Sequence, residues 1–360
     1  MSELEPHILV ALLAAGLGVI FGVVMEWSRF CLLSGVRELV TTGASFKLGM
    51  YALALAVAAA GTQTLQLAGL VDLDQSIYRS DTMSIGGLVV GGLVFGFGAV
   101  LTRGCVSRLT VLSATGNLRA LVVLLTVGIA AYATLRGILY FPRDLLQSAT
   151  SLTTPVATFD AALATLGLSE TAARMIPVLV VALLAVIYAV RTVRSPAHWL
   201  AAIAIGLVIV GGWYATGYIG ADDFDPQPVE SLTFTAPIGD SLLYLMTYTG
   251  STIKFGIALV AGALIGSFLS ALFGKRLALQ GFEAPRQLAR YLTGGVMMGF
   301  GGVASLGCTI GQGLTGVSTL SIASLVALAS IVSGMALGIR LVDARGGVNE
   351  MGGEAFPVSI

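Results

Sequence analysis

Residues 91–105 read GGLVFGFGAVLTRGC and residues 294–308 read GGVMMGFGGVASLGC. The GG, GFG and GC pairs stand in register across a shift of 203 residues, the mark of an internal duplication. At the same shift the apolar run 118–140 falls on 321–343, and the run 47–70 falls on 250–273. About nine runs approach the 20 residues needed to cross a hydrocarbon core. They lie near 7–25, 47–70, 84–102, 118–140, 172–190, 197–218, 253–273, 287–303 and 317–341. Spans one to four and six to nine form the two halves, and the odd fifth span between them inverts the second relative to the first. The expected organisation is a first membrane repeat over 1–142, a connector with the fifth span over 143–195, a second, inverted repeat over 196–345, and a C-terminal tail over 346–360.

Composition requires the same solvent. A chain that is 56% hydrophobic and 11% charged, with a mean hydropathy of +0.92, has too little polar surface to cover a water-soluble globule of 360 residues. Charged groups are costly at bilayer depth, so they are expected in loops or functional cavities. The polar stretches Arg143 to Glu170 and Gly220 to Asp240, the latter with Asp222, Asp223, Asp225 and Glu230, read as aqueous loops. With the N-terminus periplasmic and the C-terminus cytoplasmic, the inner side collects Arg29, Arg37, Lys47, Arg103, Arg108, Arg119, Arg191, Arg194, Lys275, Arg276, Arg286, Arg290, Arg340 and Arg345. The outer side keeps Arg79, Arg136, Arg143, Arg174 and Lys254. The first span follows Glu3 and Glu5 rather than a basic segment and is read as retained. A net charge of zero points to no nucleic-acid partner.

Three short breaks interrupt the apolar runs, each with one cysteine: Ser28-Arg29-Phe30-Cys31, Arg103-Gly104-Cys105-Val106-Ser107 and Leu306-Gly307-Cys308-Thr309-Ile310-Gly311. Non-helical backbone at bilayer depth is tolerated only where protein buries it or a polar cavity wets it. In an inverted repeat the Cys105 and Cys308 breaks approach from opposite faces and meet at the midplane. Cys31 joins them from the first break of half one, and its repeat counterpart near Phe234, in Thr233-Phe234-Thr235-Ala236-Pro237, carries no thiol. Four converging re-entrant segments are therefore expected.

The chemistry at these breaks suits a small anion containing soft sulfur. Gly104 and Gly307 remove a Cβ where backbone and substrate approach closely, and short helices starting at the cysteines present free N–H groups with about half a positive charge each. A thiol is a weak S–H donor and a polarizable acceptor. Thiolates would repel an anion, so neutral thiols are expected. Neither a zinc nor an iron–sulfur site is expected, since the three cysteines form no C-x-x-C pair and only His7 and His198 add imidazoles. No cofactor is called for. A lone membrane cysteine is ordinarily a small buried hydrophobe; the repeated GC context lifts Cys105 and Cys308 above that reading, whereas Cys31 has weaker local support. Gly96, Gly98, Gly299 and Gly301 read first as helix-packing residues. Arg29, Arg103 and Arg108 are explained equally by attraction of an anion and by positive-inside topology.

On these motifs the chain resembles the YeeE/YedE sulfur-transport family of bacterial inner-membrane proteins, especially its thiosulfate transporters. The residues that carry the resemblance are Gly22 with Ser28–Cys31, Gly96-Phe97-Gly98 through Gly104-Cys105, and Gly299-Phe300-Gly301 through Cys308-Thr309-Ile310-Gly311. It implies an all-α, hourglass-like integral membrane protein of about nine spanning helices plus short re-entrant helices, without enzymatic activity. It further implies thiosulfate relayed by hydrogen bonds from the thiols matching Cys31, Cys105 and Cys308, and a small cytoplasmic sulfurtransferase-like protein as frequent companion. Some relatives handle selenium or other sulfur compounds. The competing functional class is a membrane thiol oxidoreductase or sulfurtransferase passing a persulfide onward; the lack of a cysteine pair weighs against it.

Overall fold

A computed structural model describes residues 6–153, 157–221, 227–282 and 284–344. The chain is helical almost throughout. Half one comprises α1 (Pro6–Ser28), α2 (Leu32–Thr42), α3 (Phe46–Leu67), β1 (Thr82–Ser84), α4 (Ile85–Leu101), α5 (Val106–Ala114) and α6 (Leu118–Arg136). A connector follows with α7 (Tyr140–Ala149), β2 (Ser151–Thr153), α8 (Phe159–Ala164) and α9 (Glu170–Thr192). Half two comprises α10 (Pro196–Tyr214), α11 (Thr235–Met246), α12 (Phe255–Phe273), α13 (Pro285–Ala304), a π-helical segment (Gly311–Gly316) and α14 (Ile322–Ala344). β1 and β2 form one short antiparallel pair.

Among the described residues, eight stretches are long and apolar enough to cross a membrane. They take in α1, α3, α4, α6, α9, α10, α12 and α14. The remaining expected span corresponds to α13, a 20-residue helix whose first turns carry Arg286, Gln287 and Arg290. Apolar side chains point outward toward lipid, for instance Leu179, Leu183, Leu184 and Val190 of α9. Buried hydroxyls such as Thr62, Ser107, Thr110, Ser305, Thr315 and Ser318 line the interior instead.

The 203-residue shift carries α2 onto α11, α3 onto α12, α4 onto α13, α5 onto the π-segment and α6 onto α14. Contacts obey the same operator. The pairings α1 with α12 and α4 with α14 recur as α10 with α3 and α13 with α6, while α4 and α13 pack on each other. Each half is thus clasped by the other. The pseudo-twofold contact is made by glycine. A Cβ on Gly98 would stand 2.7 Å from the Gly294 carbonyl oxygen, and one on Gly294 would stand 2.8 Å from that of Gly98. Gly91 and Gly301 oppose each other likewise, at 2.9 and 2.5 Å. Such reciprocity is what a twofold contact demands, and small residues let backbones approach in lipid. Gly96 and Gly299 pack in the same way on the backbones of α14 and α6.

Two faces can be distinguished. One carries Arg37, Lys47, Lys275, Arg276 and Arg286, and is called the basic face; there the Leu118 N–H donates to the Gln280 carbonyl at 2.9 Å. On the opposite face the Phe159 N–H donates to the Leu320 carbonyl at 3.0 Å and the Ile322 N–H to that of Ala157 at 3.1 Å. Arg79 binds Asp160 at 2.7 Å and Asp74 at 2.8 Å there.

Three expectations need correction. The last span starts at Ile322 rather than 317, because residues 311–316 complete a re-entrant π-helical segment. The stretch 143–170 is built into α7, β2 and α8 rather than being a plain loop. Within 220–240, residues from Ser231 onward are not aqueous: Ser231, Leu232, Phe234 and Thr235 are buried, held by the Thr315 hydroxyl donating to the Leu232 carbonyl at 2.7 Å. Glu3, Glu5, Asp222, Asp223, Asp225, Arg345 and the tail 346–360 lie outside the described residues.

Candidate functional site

The two GC breaks are the same structure built twice. α4 and α13 end in matched Schellman turns: Gly104 N–H donates to the Ala99 carbonyl (3.0 Å) and Arg103 N–H to that of Val100 (3.2 Å). At the repeat positions Gly307 donates to Gly302 (2.7 Å) and Leu306 to Val303 (3.2 Å). The left-handed residue is not glycine. It is Arg103 (φ 60°) in one turn and Leu306 (φ 61°) in the other, positions that cost about 1 kcal/mol relative to glycine. The Thr102 and Ser305 hydroxyls hold both turns, donating to the carbonyls of Gly98 (3.1 Å) and Gly301 (2.7 Å).

Each turn delivers a buried cysteine to the start of a short helical segment. Cys105 is the extended residue capping α5, and its sulfur lies 3.3 Å from the Ser107 hydroxyl. Cys31 caps α2 after a left-handed Arg29 (φ 51°). Cys308 precedes the π-segment and accepts from the Gly311 N–H at 3.5 Å. The fourth break ends at Phe234, which caps α11 and stacks on Phe21 with centroids 5.0 Å apart. The N-termini of α2 and α5 point inward from the basic face, while those of α11 and the π-segment point inward from the opposite face. Four such ends concentrate partial positive charge at one place. Only three begin regular α-helices, and the turn after Cys308 is wider than expected.

The breaks then meet. Cys31 and Cys105 lie within electrostatic range of each other, and Cys105 also faces the Thr309 side chain, next in sequence to Cys308. Tyr51 closes the circle: its hydroxyl donates to the Thr309 carbonyl at 2.6 Å while its ring stacks on Phe30 at 5.7 Å. Tyr51 and Tyr78 both stand near Cys308. Thus Cys31, Cys105 and Cys308 are all buried in the same core, with Gly104 and Gly307 immediately before two of them in the chain. A cleft on the opposite face, lined by Tyr78, Ser84, Gln147, Leu306, Gln312 and Ser324, leads toward the Cys308 segment. Gln312 is buried, its amide N–H donating to the Ser305 carbonyl at 2.7 Å and its carbonyl oxygen having no protein donor.

The roles of the two glycines differ. A Cβ on Gly104 would meet Leu109 at an ordinary 3.4 Å, so the protein's own packing does not exclude alanine there. At Gly307 (φ 158°) it would stand 3.1 Å from Gln312. Sequence reasoning missed Tyr51, Tyr78 and Gln312. Tyr51 lies 258 residues from its partner Thr309, and no local spacing announces that contact. Among the described residues no group of three or more His, Cys, Asp or Glu side chains is arranged to hold a metal ion.

Comparison with known proteins agrees with this architecture. Residues 27–337 match the family model described as sulphur transport. The thiosulfate transporter TsuA of Escherichia coli (strain K12) is 25% identical, over 91% of this chain and 93% of that protein. The thiosulfate transporter TsuA of Spirochaeta thermophila is 26% identical, over 86% of this chain and 92% of its own length. The chain belongs to the sulphur-transport family, a family of transporters rather than enzymes.

Proposed function

We propose that this member of the sulphur-transport family takes up thiosulfate, or a closely related small sulfur anion, across the bacterial inner membrane. The observation that carries the reading is the convergence of the three cysteine-bearing breaks and the break at Phe234, each starting a helical segment, in the buried core between the two faces. Similarity along almost the whole length to two thiosulfate transporters supports the choice of anion.

In this reading the basic face is cytoplasmic, the N-terminus is periplasmic, and residues 1–142 and 196–345 act as two inverted halves around the connector 143–195. The sulfonate oxygens face the helical N-termini and the terminal sulfur faces the thiols. Cys308 receives the anion from the periplasmic cleft, and Cys105 and Cys31 pass it on toward the cytoplasm. Neutral thiols donate S–H hydrogen bonds and no covalent bond forms. Gly104 and Gly307 leave space for the substrate beside the backbone. A cytoplasmic sulfurtransferase-like protein that consumes the product would keep the flow inward.

The test is growth of an uptake-deficient bacterial host on thiosulfate as sole sulfur source, with wild type against Cys31→Ser, Cys105→Ser and Cys308→Ser. The expected result is loss of growth, deepest for Cys105→Ser and Cys308→Ser. Growth of all three variants at the wild-type rate would sink the thiol relay. The proximity of Cys31 and Cys105 favours one rival, in which a thiolate attacks the terminal sulfur of thiosulfate, keeps it as a persulfide and releases sulfite; persulfide found on Cys105 or Cys308 after thiosulfate exposure would establish that rival instead.

A further inference from the structure

We infer that Arg108 forms an anion-binding station on the basic side of the Cys31–Cys105 pair, for a doubly charged tetrahedral sulfur oxyanion. Arg108 lies on α5, one turn after Cys105, and is half-buried. It follows Cys105 by three residues, and its reach to Met25 brings it to the end of α1, where Glu26 comes next and Arg29 and Cys31 follow within six residues. The hydrogen bond it makes to the protein is a long one, Nη1 to the Met25 carbonyl at 3.4 Å.

The carboxylate within range is already engaged. Glu26 receives Arg276 through Nε at 2.9 Å and Nη2 at 2.6 Å, and the Ser270 hydroxyl at 2.8 Å. Two arginines, the exposed Arg29 two residues before Cys31 and the half-buried Arg108 three residues after Cys105, therefore flank the two breaks, with one carboxylate that Arg276 neutralises. A forked guanidinium with free donors matches a tetrahedral oxyanion.

The duplication sharpens the point. The positions equivalent to Arg29 and Arg108 are Leu232 and Gly311, so the duplication does not repeat these two cations in the second half. Positive-inside topology accounts for arginines in loops but not for a half-buried one in the first turn of the re-entrant helix that Cys105 caps. The station would hold the anion after it passes the thiols and before release, and so would also admit the oxyanion from the cytoplasmic side.

The inference borrows only the identity of the anion from the proposed function, and sulfate, which lacks the terminal sulfur, separates the two. Sulfate and thiosulfate binding to the purified full-length protein in detergent is measured by calorimetry at low ionic strength, alongside thiosulfate uptake into proteoliposomes. Arg108→Gln is expected to weaken both anions by about 10- to 100-fold, and Arg191→Gln, an exposed charge on the basic face, to leave them unchanged. Sulfate affinity of Arg108→Gln equal to wild type, or no sulfate binding to wild type, overturns the station. Should Arg108→Gln fail to fold, phenylglyoxal labelling of Arg108 in the wild type, read by mass spectrometry, serves instead. Protection by sulfate is expected, and unchanged labelling overturns the inference. Arg108-dependent sulfate binding without thiosulfate uptake would defeat the transport reading and leave the station standing.

Discussion

Replacing Gly301 by alanine tests the pseudo-twofold contact on which the site hangs. The added Cβ would stand 2.5 Å from the Gly91 carbonyl oxygen and 2.6 Å from the Phe95 nitrogen, both backbone atoms of α4. Ordinary contact begins near 3.4 Å, so α4 and α13 must part by roughly 0.9 Å. Backbone cannot rotate away as a flexible side chain would, and overpacking of this kind costs about 1 to 3 kcal/mol. These helices also carry the Schellman turns that deliver Cys105 and Cys308, so separating them moves the thiols apart. Thermal unfolding of the purified protein in detergent should therefore show a lower midpoint for Gly301→Ala, with reduced thiosulfate uptake. Gly16→Ala is the matched control: no atom lies within 4 Å of its Cβ position, and alanine in a helix should stabilise by about 0.5 to 1 kcal/mol. A Gly301→Ala protein as stable and active as wild type would refute the close-packed crossing.

Gly104→Ala should keep the wild-type melting temperature, since its Cβ finds room, yet reduce uptake if the missing Cβ serves the substrate; stability and flux measured together check this. Tyr51→Phe strips the 2.6 Å donor from the buried Thr309 carbonyl and should cost about 1 to 3 kcal/mol by denaturation, with uptake lowered as the Cys308 segment loosens. Asp160, outside the spans, ties Arg79 to Arg174, and Asp160→Asn should destabilise by about 3 kcal/mol in thermal unfolding. Burial alone would raise the Asp160 carboxyl, but hydrogen bonds from Thr158 and Arg79 outweigh it and hold it below its ordinary value. A depressed folded value means this stabilisation is complete above the unfolded value near ~3.9 and is lost as pH falls through the folded one. The difference between wild type and Asp160→Asn should accordingly shrink below about pH 4.

Much of the architecture was legible because it is written in local terms. Hydropathy alone places the chain in lipid, and the GFG and GC register reveals the duplication without any knowledge of contacts. Small residues at Gly96, Gly98, Gly299 and Gly301 announce close helix crossings, since lipid offers no hydrophobic force between helices and packing must supply it. Even the four breaks, the thiol-free one at Phe234 among them, are laid out by the repeat. What sequence could not decide is which side chains the breaks bring face to face. Gly104 and Gly307 are read as leaving room beside the backbone, but the turns themselves rest on Arg103 and Leu306, one position earlier, which the Schellman hydrogen bonds hold in the left-handed conformation. The approach of the Cys31 and Cys105 breaks, the Tyr51 clamp on Thr309 and the reach of Arg108 to the Met25 carbonyl join segments far apart in the chain. They depend on how one half is clasped by the other, and only the packed tertiary structure contains that information.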